Sequence, residues 1–119
     1  MLLNKETEKI FMPMLNLLSK KYNKDEYNFI SSCFFSQLEV PEDLDEIERF
    51  QLFTAAILYF FTYFIENEDY TNAAITKKVL YKQSTELLTR EVFDNEDLLT
   101  IQLGVEYFEI MENEIITNK

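Results

Sequence analysis

Histidine is absent from the 119 residues, and cysteine and glycine occur once each. Without imidazole, the chain excludes His-based nucleophilic triads, His general acid–base pairs and zinc sites built on His ligands. One cysteine, Cys33, excludes an internal disulfide and any multi-cysteine metal site. Its neighbours Ser32, Phe34 and Phe35 suit a small buried hydrophobe, and no His is available to make it a reactive thiol. One glycine and two prolines are too few for the tight turns of an all-β chain. Long helices accommodate that scarcity. Basic residues are also few: 11 against 22 acids, for a net charge of −11. Direct nucleic-acid binding needs a basic face to displace counterions, so it is not expected, and neither is attraction to anionic lipid. The start "MLLNKETEK" lacks the basic and apolar regions of a signal peptide, so a reducing, cytoplasmic setting is expected.

What is present is apolar and aromatic. Apolar residues make up 47% and aromatics 15%, which fits a folded chain rather than an acidic tail. The length suits one domain with its own core, residues 1–119. Five helices are expected. The first covers about 3–22 and is interrupted near Pro13; beyond it come Met14, Leu15, Leu17, Leu18 and Tyr22, with Lys20 and Lys21 in the last turn. The second begins at Asn23-Lys24-Asp25-Glu26, an N-cap followed by an acid three residues on. It carries Tyr27, Ile30, Phe34 and Leu38, and Val40-Pro41 ends it. The third spans residues 43–67. A fourth, at about 71–93, should bury Ala74, Ile75, Val79, Leu80, Leu87 and Leu88. The fifth follows Asp94-Asn95-Glu96-Asp97 and carries Leu98, Ile101, Val105, Phe108 and Ile115 at bundle-seam spacing. The fold class is therefore an all-α compact bundle with 43–67 at its centre.

That third helix holds the longest uncharged run, "FQLFTAAILYFFTYFI" at 50–65. A sixteen-residue helix reaches about 24 Å, short of a bilayer core of roughly 30 Å. Acids flank it on both sides, without the Lys/Arg excess that orients a membrane span. It reads as a buried core helix. Part of its circumference, around Tyr59, Phe60 and Tyr63, is a place where a second subunit could pack.

Two acid pairs bracket this helix: Asp45-x-x-Glu48 and Glu66-x-x-Asp69. The pattern resembles that of the all-α nucleoside triphosphate pyrophosphohydrolases, over about 25 residues. The resemblance implies a magnesium site shared between adjacent antiparallel helices. One continuous helix would instead hold the pairs roughly 27–30 Å apart, and no Gly or Pro in 50–65 breaks it. Acids at helix ends serving dipole and solubility are the simpler reading. The series Glu106, Glu109 and Glu112 lacks the His of a di-iron bundle, and Asp94–Asp97 lacks the glycine of a calcium loop. Neither a phosphate loop nor a nucleophile elbow is present; Gly104 stands alone within the last helix, where it permits close helix approach.

The densest feature is "EVPEDLDEIE", six acids in residues 39–48. With Glu66, Glu68 and Asp69 at the far end, it exceeds what capping needs. The expectation is a non-catalytic helical protein, without cofactor or metal, that binds another protein with a basic surface, such as an inhibitor or immunity-type antagonist. The expected contact residues are Glu42, Asp43, Asp45, Glu46, Glu66, Glu68, Asp69 and Tyr70, with Tyr59 and Tyr63 as further aromatic anchors. A self-associating adaptor and a magnesium-dependent pyrophosphohydrolase are the alternatives.

Overall fold

The computed structural model describes residues 3–20 and 23–118. Five helices carry the chain: α1 (Lys5–Leu18), α2 (Lys24–Gln37), α3 (Glu46–Glu66), α4 (Tyr70–Leu88) and α5 (Asn95–Thr117), and no strand occurs among the described residues. The all-α bundle expected from the sequence is the observed architecture.

Each helix start has a side-chain cap. Asn4, Asn23, Asp45, Asp69 and Asp94 accept backbone N–H groups from the first turn of the helix that follows. Such caps satisfy donors that have no partner inside the helix. Asp45 fixes the start of α3: its Oδ1 accepts the Glu48 N–H at 2.8 Å, and Glu48 accepts back from the Asp45 N–H. Helix α3 therefore begins at Glu46 rather than 43, and Pro41 lies in the connection between α2 and α3.

Helix ends use an unusual residue. Val40 N–H reaches Phe35 O while Glu39 N–H reaches Ser36 O; Asp69 N–H reaches Phe64 O while Glu68 N–H reaches Ile65 O. Both are Schellman closures, whose left-handed position normally holds glycine. Here it holds Glu39 (φ 59°) and Glu68 (φ 56°). The second closure makes the α3–α4 turn very short, because Asp69 completes it and caps α4.

Helix α1 is continuous through Pro13, contrary to the expected interruption. Proline removes one donor and crowds the carbonyl four residues back, at Lys9. Lys9 and Pro13 are both exposed, so water can serve that carbonyl. The helix stops at Leu18, leaving Lys20 beyond its C-cap; the expected roles of Lys21 and Tyr22 lie outside the described residues.

At the centre is α3, which buries Phe50, Phe53, Thr54, Ile57, Phe60, Phe61, Phe64 and Ile65. Arg90, just past α4, returns to Glu46 at the start of α3, so α4 runs antiparallel to α3. Gly104 faces Phe50 and Phe108 meets Phe61, so α5 runs parallel to α3. The α1–α2 pair closes the other side through rings. Phe11 packs on Phe34 and Phe60, and Phe34 on Phe53, with centroids 5.1–5.8 Å apart.

The buried face of α4 differs from the one expected. Ala74 and Leu88 are exposed, while Ala73, Thr76 and Ser84 are buried beside Val79, Leu80 and Leu87. Thr76 and Ser84 turn their hydroxyls onto the carbonyls of Ala73 and Tyr81, at 2.6 and 2.9 Å. With that donor satisfied, burial costs little. Helix α4 also ends five residues short of Phe93, where Thr89 caps it and the Arg90 side chain engages Glu86 and Glu46.

Candidate functional site

The acids singled out from the sequence occupy two separate places. At the start of α3, Asp45 is committed to capping and Glu46 to an ion pair with Arg90. The Glu42 carbonyl accepts from Arg49 at 2.9 Å, and Asp43 is exposed. At the far end, Glu66 is exposed, Glu68 occupies the left-handed turn position and Asp69 holds both the N–H and the side-chain amide of Asn72. Tyr70 is exposed at the first position of α4. Unbroken helix lies between the two groups, so roughly 30 Å separates Glu46 from Glu66. Within one chain the pairs Asp45/Glu48 and Glu66/Asp69 do not meet. Among the described residues, no three carboxylates or thiols converge as metal ligands.

The proposed aromatic anchors divide. Phe60 is buried and has no surface to offer, because it packs under Phe11. Tyr63 is half-buried, with its hydroxyl 3.4 Å from a Glu8 carboxylate oxygen. Tyr59 is exposed. Cys33 is only half-buried, so it is not the interior hydrophobe its neighbours suggested. No helix among the described residues is long and apolar enough to cross a membrane, in agreement with the reading of 50–65 as a core segment.

A surface that sequence reasoning passed over lies on α5. That helix buries only Ile101 and Phe108 along 23 residues, with Leu98, Val105 and Ile115 half-buried beside them. Its opposite side carries a second apolar series, Leu99, Leu103, Tyr107 and Ile110, exposed by 53, 52, 54 and 60%. Steps of four, four and three put these four on one face of a helix. The signal was legible as a second stripe beside the seam.

The stripe continues onto α3. Gly104 brings the helices close: a Cβ there would lie 3.0 Å from Phe50 Cε2. Beside it, Ala55, Gln51, Leu103 and Tyr107 line a shallow depression of about 390 Å³, and Leu52 and Tyr59 are exposed on the same helix. The border is acidic. Glu96, Glu106, Glu109 and Glu114 are exposed on α5, and residues 91–118 contain no basic residue. Glu66 joins this border, because it lines a second opening with Glu114 and Met111.

On its inner side α5 is tied to α4 by polar groups. Lys77 Nζ lies 2.8 Å from Glu112 and 5.8 Å from the centre of the Tyr81 ring. Burial, with the Glu109 and Glu112 carboxylates beside it, pushes the Tyr81 phenol up to about 12. Comparison with protein-family models, curated proteins and solved structures finds no match for this chain. Its functional reading therefore rests on its own surfaces.

Proposed function

We propose that this chain is a non-catalytic helical protein that binds another protein through the outward face of α5. The partner would present an apolar strip bordered by lysine or arginine, as the target of an inhibitor or immunity-type antagonist could. The observation that carries this reading is the exposed series Leu99, Leu103, Tyr107 and Ile110 within a segment free of basic residues. Continuous apolar surface beyond a few hundred Å² is uncommon on monomers and marks interaction sites. Acids around such a surface steer a basic partner and repel an acidic one. Glu66, and Glu68 and Asp69 beyond it, extend the border; Glu42, Asp43, Asp45 and Glu46 add long-range field from the opposite end, and Tyr70 a further aromatic contact. A second copy is the poorer occupant, because two chains of charge −11 would meet acid to acid. A reducing compartment suits the lone Cys33.

The test uses the wild-type chain and a Leu103→Asp/Ile110→Asp double variant as baits in extract of the source cells. Both positions are exposed, so circular dichroism should show unchanged helix content. The expected result is a protein retained by wild type at low salt, weakened at high salt and lost with the double variant. Retention by both baits alike, or by neither, overturns the reading. Light scattering on the isolated chain should report a monomer. A dimer that survives high salt would instead assign the face to self-association.

A further inference from the structure

A second surface, unrelated to α5, has the opposite chemistry. Between α2 and the α3/α4 pair lies a cavity of about 480 Å³, within the size range of small-ligand sites. The chain contains two arginines, Arg49 and Arg90, and both line it, together with Lys24. Glu46 is the one acid among the lining residues. With Glu86, which holds Arg90 from behind the wall, the local balance is three cations to two carboxylates, in a chain with two acids for every base.

The two guanidiniums differ in how they are held. Arg90 is engaged by both Glu86 oxygens at 2.9 Å and by Glu46. Arg49 lies in the most acidic stretch of the sequence, yet among the described residues it makes no ion pair. Among the described residues its guanidinium makes one hydrogen bond, from Nη2 to the Glu42 carbonyl at 2.9 Å. A guanidinium has five N–H donors, so most of its capacity remains for a ligand. The far wall, from α2, supplies Asn28, Ser31 and Ser32 as neutral donors, and Phe35, Phe53 and Leu87 supply apolar surface.

We propose that this cleft binds a small organic anion, a phosphate or carboxylate head on a flat apolar body. The head sits at Arg49, with Lys24 supplying flanking charge, and the body lies along Phe35 and Phe53. The head faces the α4 side of Arg49. The adjoining cavity on its other side, under the α2–α3 connection, carries Glu39 and Glu42, which would repel it. No residue of α5 lines the site, so this proposal and the α5 reading stand or fall separately.

Calorimetry on the full chain tests it, with phenyl phosphate, benzoate, inorganic phosphate and benzyl alcohol as probes. At least one aromatic anion should bind, more tightly than inorganic phosphate, while benzyl alcohol gives no measurable heat; phenyl phosphate against benzoate distinguishes the two head groups. Arg49→Gln should weaken the aromatic anion about tenfold or more, the scale of losing one charged hydrogen-bond partner. Arg49→Lys should retain part of the affinity. Lys24→Gln, at an exposed helix start, should weaken it by a smaller factor, and Leu103→Asp should leave it unchanged. Absence of binding by both aromatic anions up to millimolar concentration, equal binding of benzyl alcohol, or indifference to both Arg49→Gln and Lys24→Gln overturns the proposal.

Discussion

Helices α3 and α5 run parallel in contact and are of similar length, yet they are held in opposite ways. Helix α3 buries eight side chains, seven of them Phe or Ile, whereas α5 buries two. Most of the attachment of α3 is apolar, so salt and pH should act on it chiefly at its polar contacts, Glu46–Arg90 and Tyr63–Glu8. Helix α5 is attached on one side by Ile101, Phe108 and a polar tie to α4, and its other side is apolar but uncovered. Apolar composition is thus a poor guide to anchoring. What decides anchoring is how many neighbours a helix has.

The largest expected difference follows directly. Phe60→Ala removes a ring packed against Phe11 and Phe34, and should cost about 3–5 kcal/mol in urea denaturation. Tyr107→Ala, on the exposed face, should change stability by no more than about 0.5 kcal/mol. Equal losses at the two positions would mean that the α5 face is covered in solution, and would break the comparison.

The seam between the two helices should show an intermediate effect. In Gly104→Ala the new Cβ meets Phe50 Cε2 at 3.0 Å, and Phe50 is itself buried and cannot swing away freely. Overpacking costs about 1–3 kcal/mol, and alanine regains about 1 kcal/mol of helix propensity, leaving a net loss near 1 kcal/mol. Amide exchange should rise along α5 and not along α3. A net gain in stability would show that the seam can widen at no cost.

Much of this arrangement was readable before the structure, and the misreadings have physical causes. Asn23 and Asp94 announced α2 and α5 through capping chemistry, and the acidic flanks of 50–65 identified a core helix. The end of α4 carried no glycine or proline; it is set by Thr89 and by a tertiary contact from Arg90, which local pattern does not encode. The α4 face was misplaced because Thr76 and Ser84 satisfy their hydroxyls on their own helix and then bury like apolar residues. On α5 the inward seam of Leu98, Ile101, Val105, Phe108 and Ile115 was placed correctly, and the second stripe escaped because only one seam was sought. The basic cavity escaped because Arg49, Arg90 and Lys24 are far apart in sequence and converge only through the packing of α2, α3 and α4.

Alkali should act on α5 before α3. The Tyr81 phenol titrates near 12 in the folded chain against about 10 when unfolded. A raised folded value means that the neutral phenol is favoured by folding. Its contribution is complete below pH 10 and is lost as pH rises from about 10 to about 12. Denaturation midpoints should fall over that interval, with loss of α5 protection first, and Tyr81→Phe should flatten the part of the slope belonging to this seam. Tyr27, whose phenol burial also raises, sits at the α2 cavity and should account for a separate part of the decline.

The smallest effect belongs to the ion pair Lys77–Glu112, since partly exposed pairs contribute about 0–1 kcal/mol. Its value lies in what it distinguishes. Salt screens this pair, and it also relieves the repulsion among the eight acids of residues 91–118. In Lys77→Met the attractive part is gone and only the repulsion remains. Added salt should therefore raise the stability of the variant more than that of wild type, with the difference confined to amide protection on α4 and α5. If salt moves both proteins equally, the pair contributes nothing to holding α5, and the apolar contacts centred on Ile101 and Phe108 anchor the helix whose free face is proposed to bind a partner.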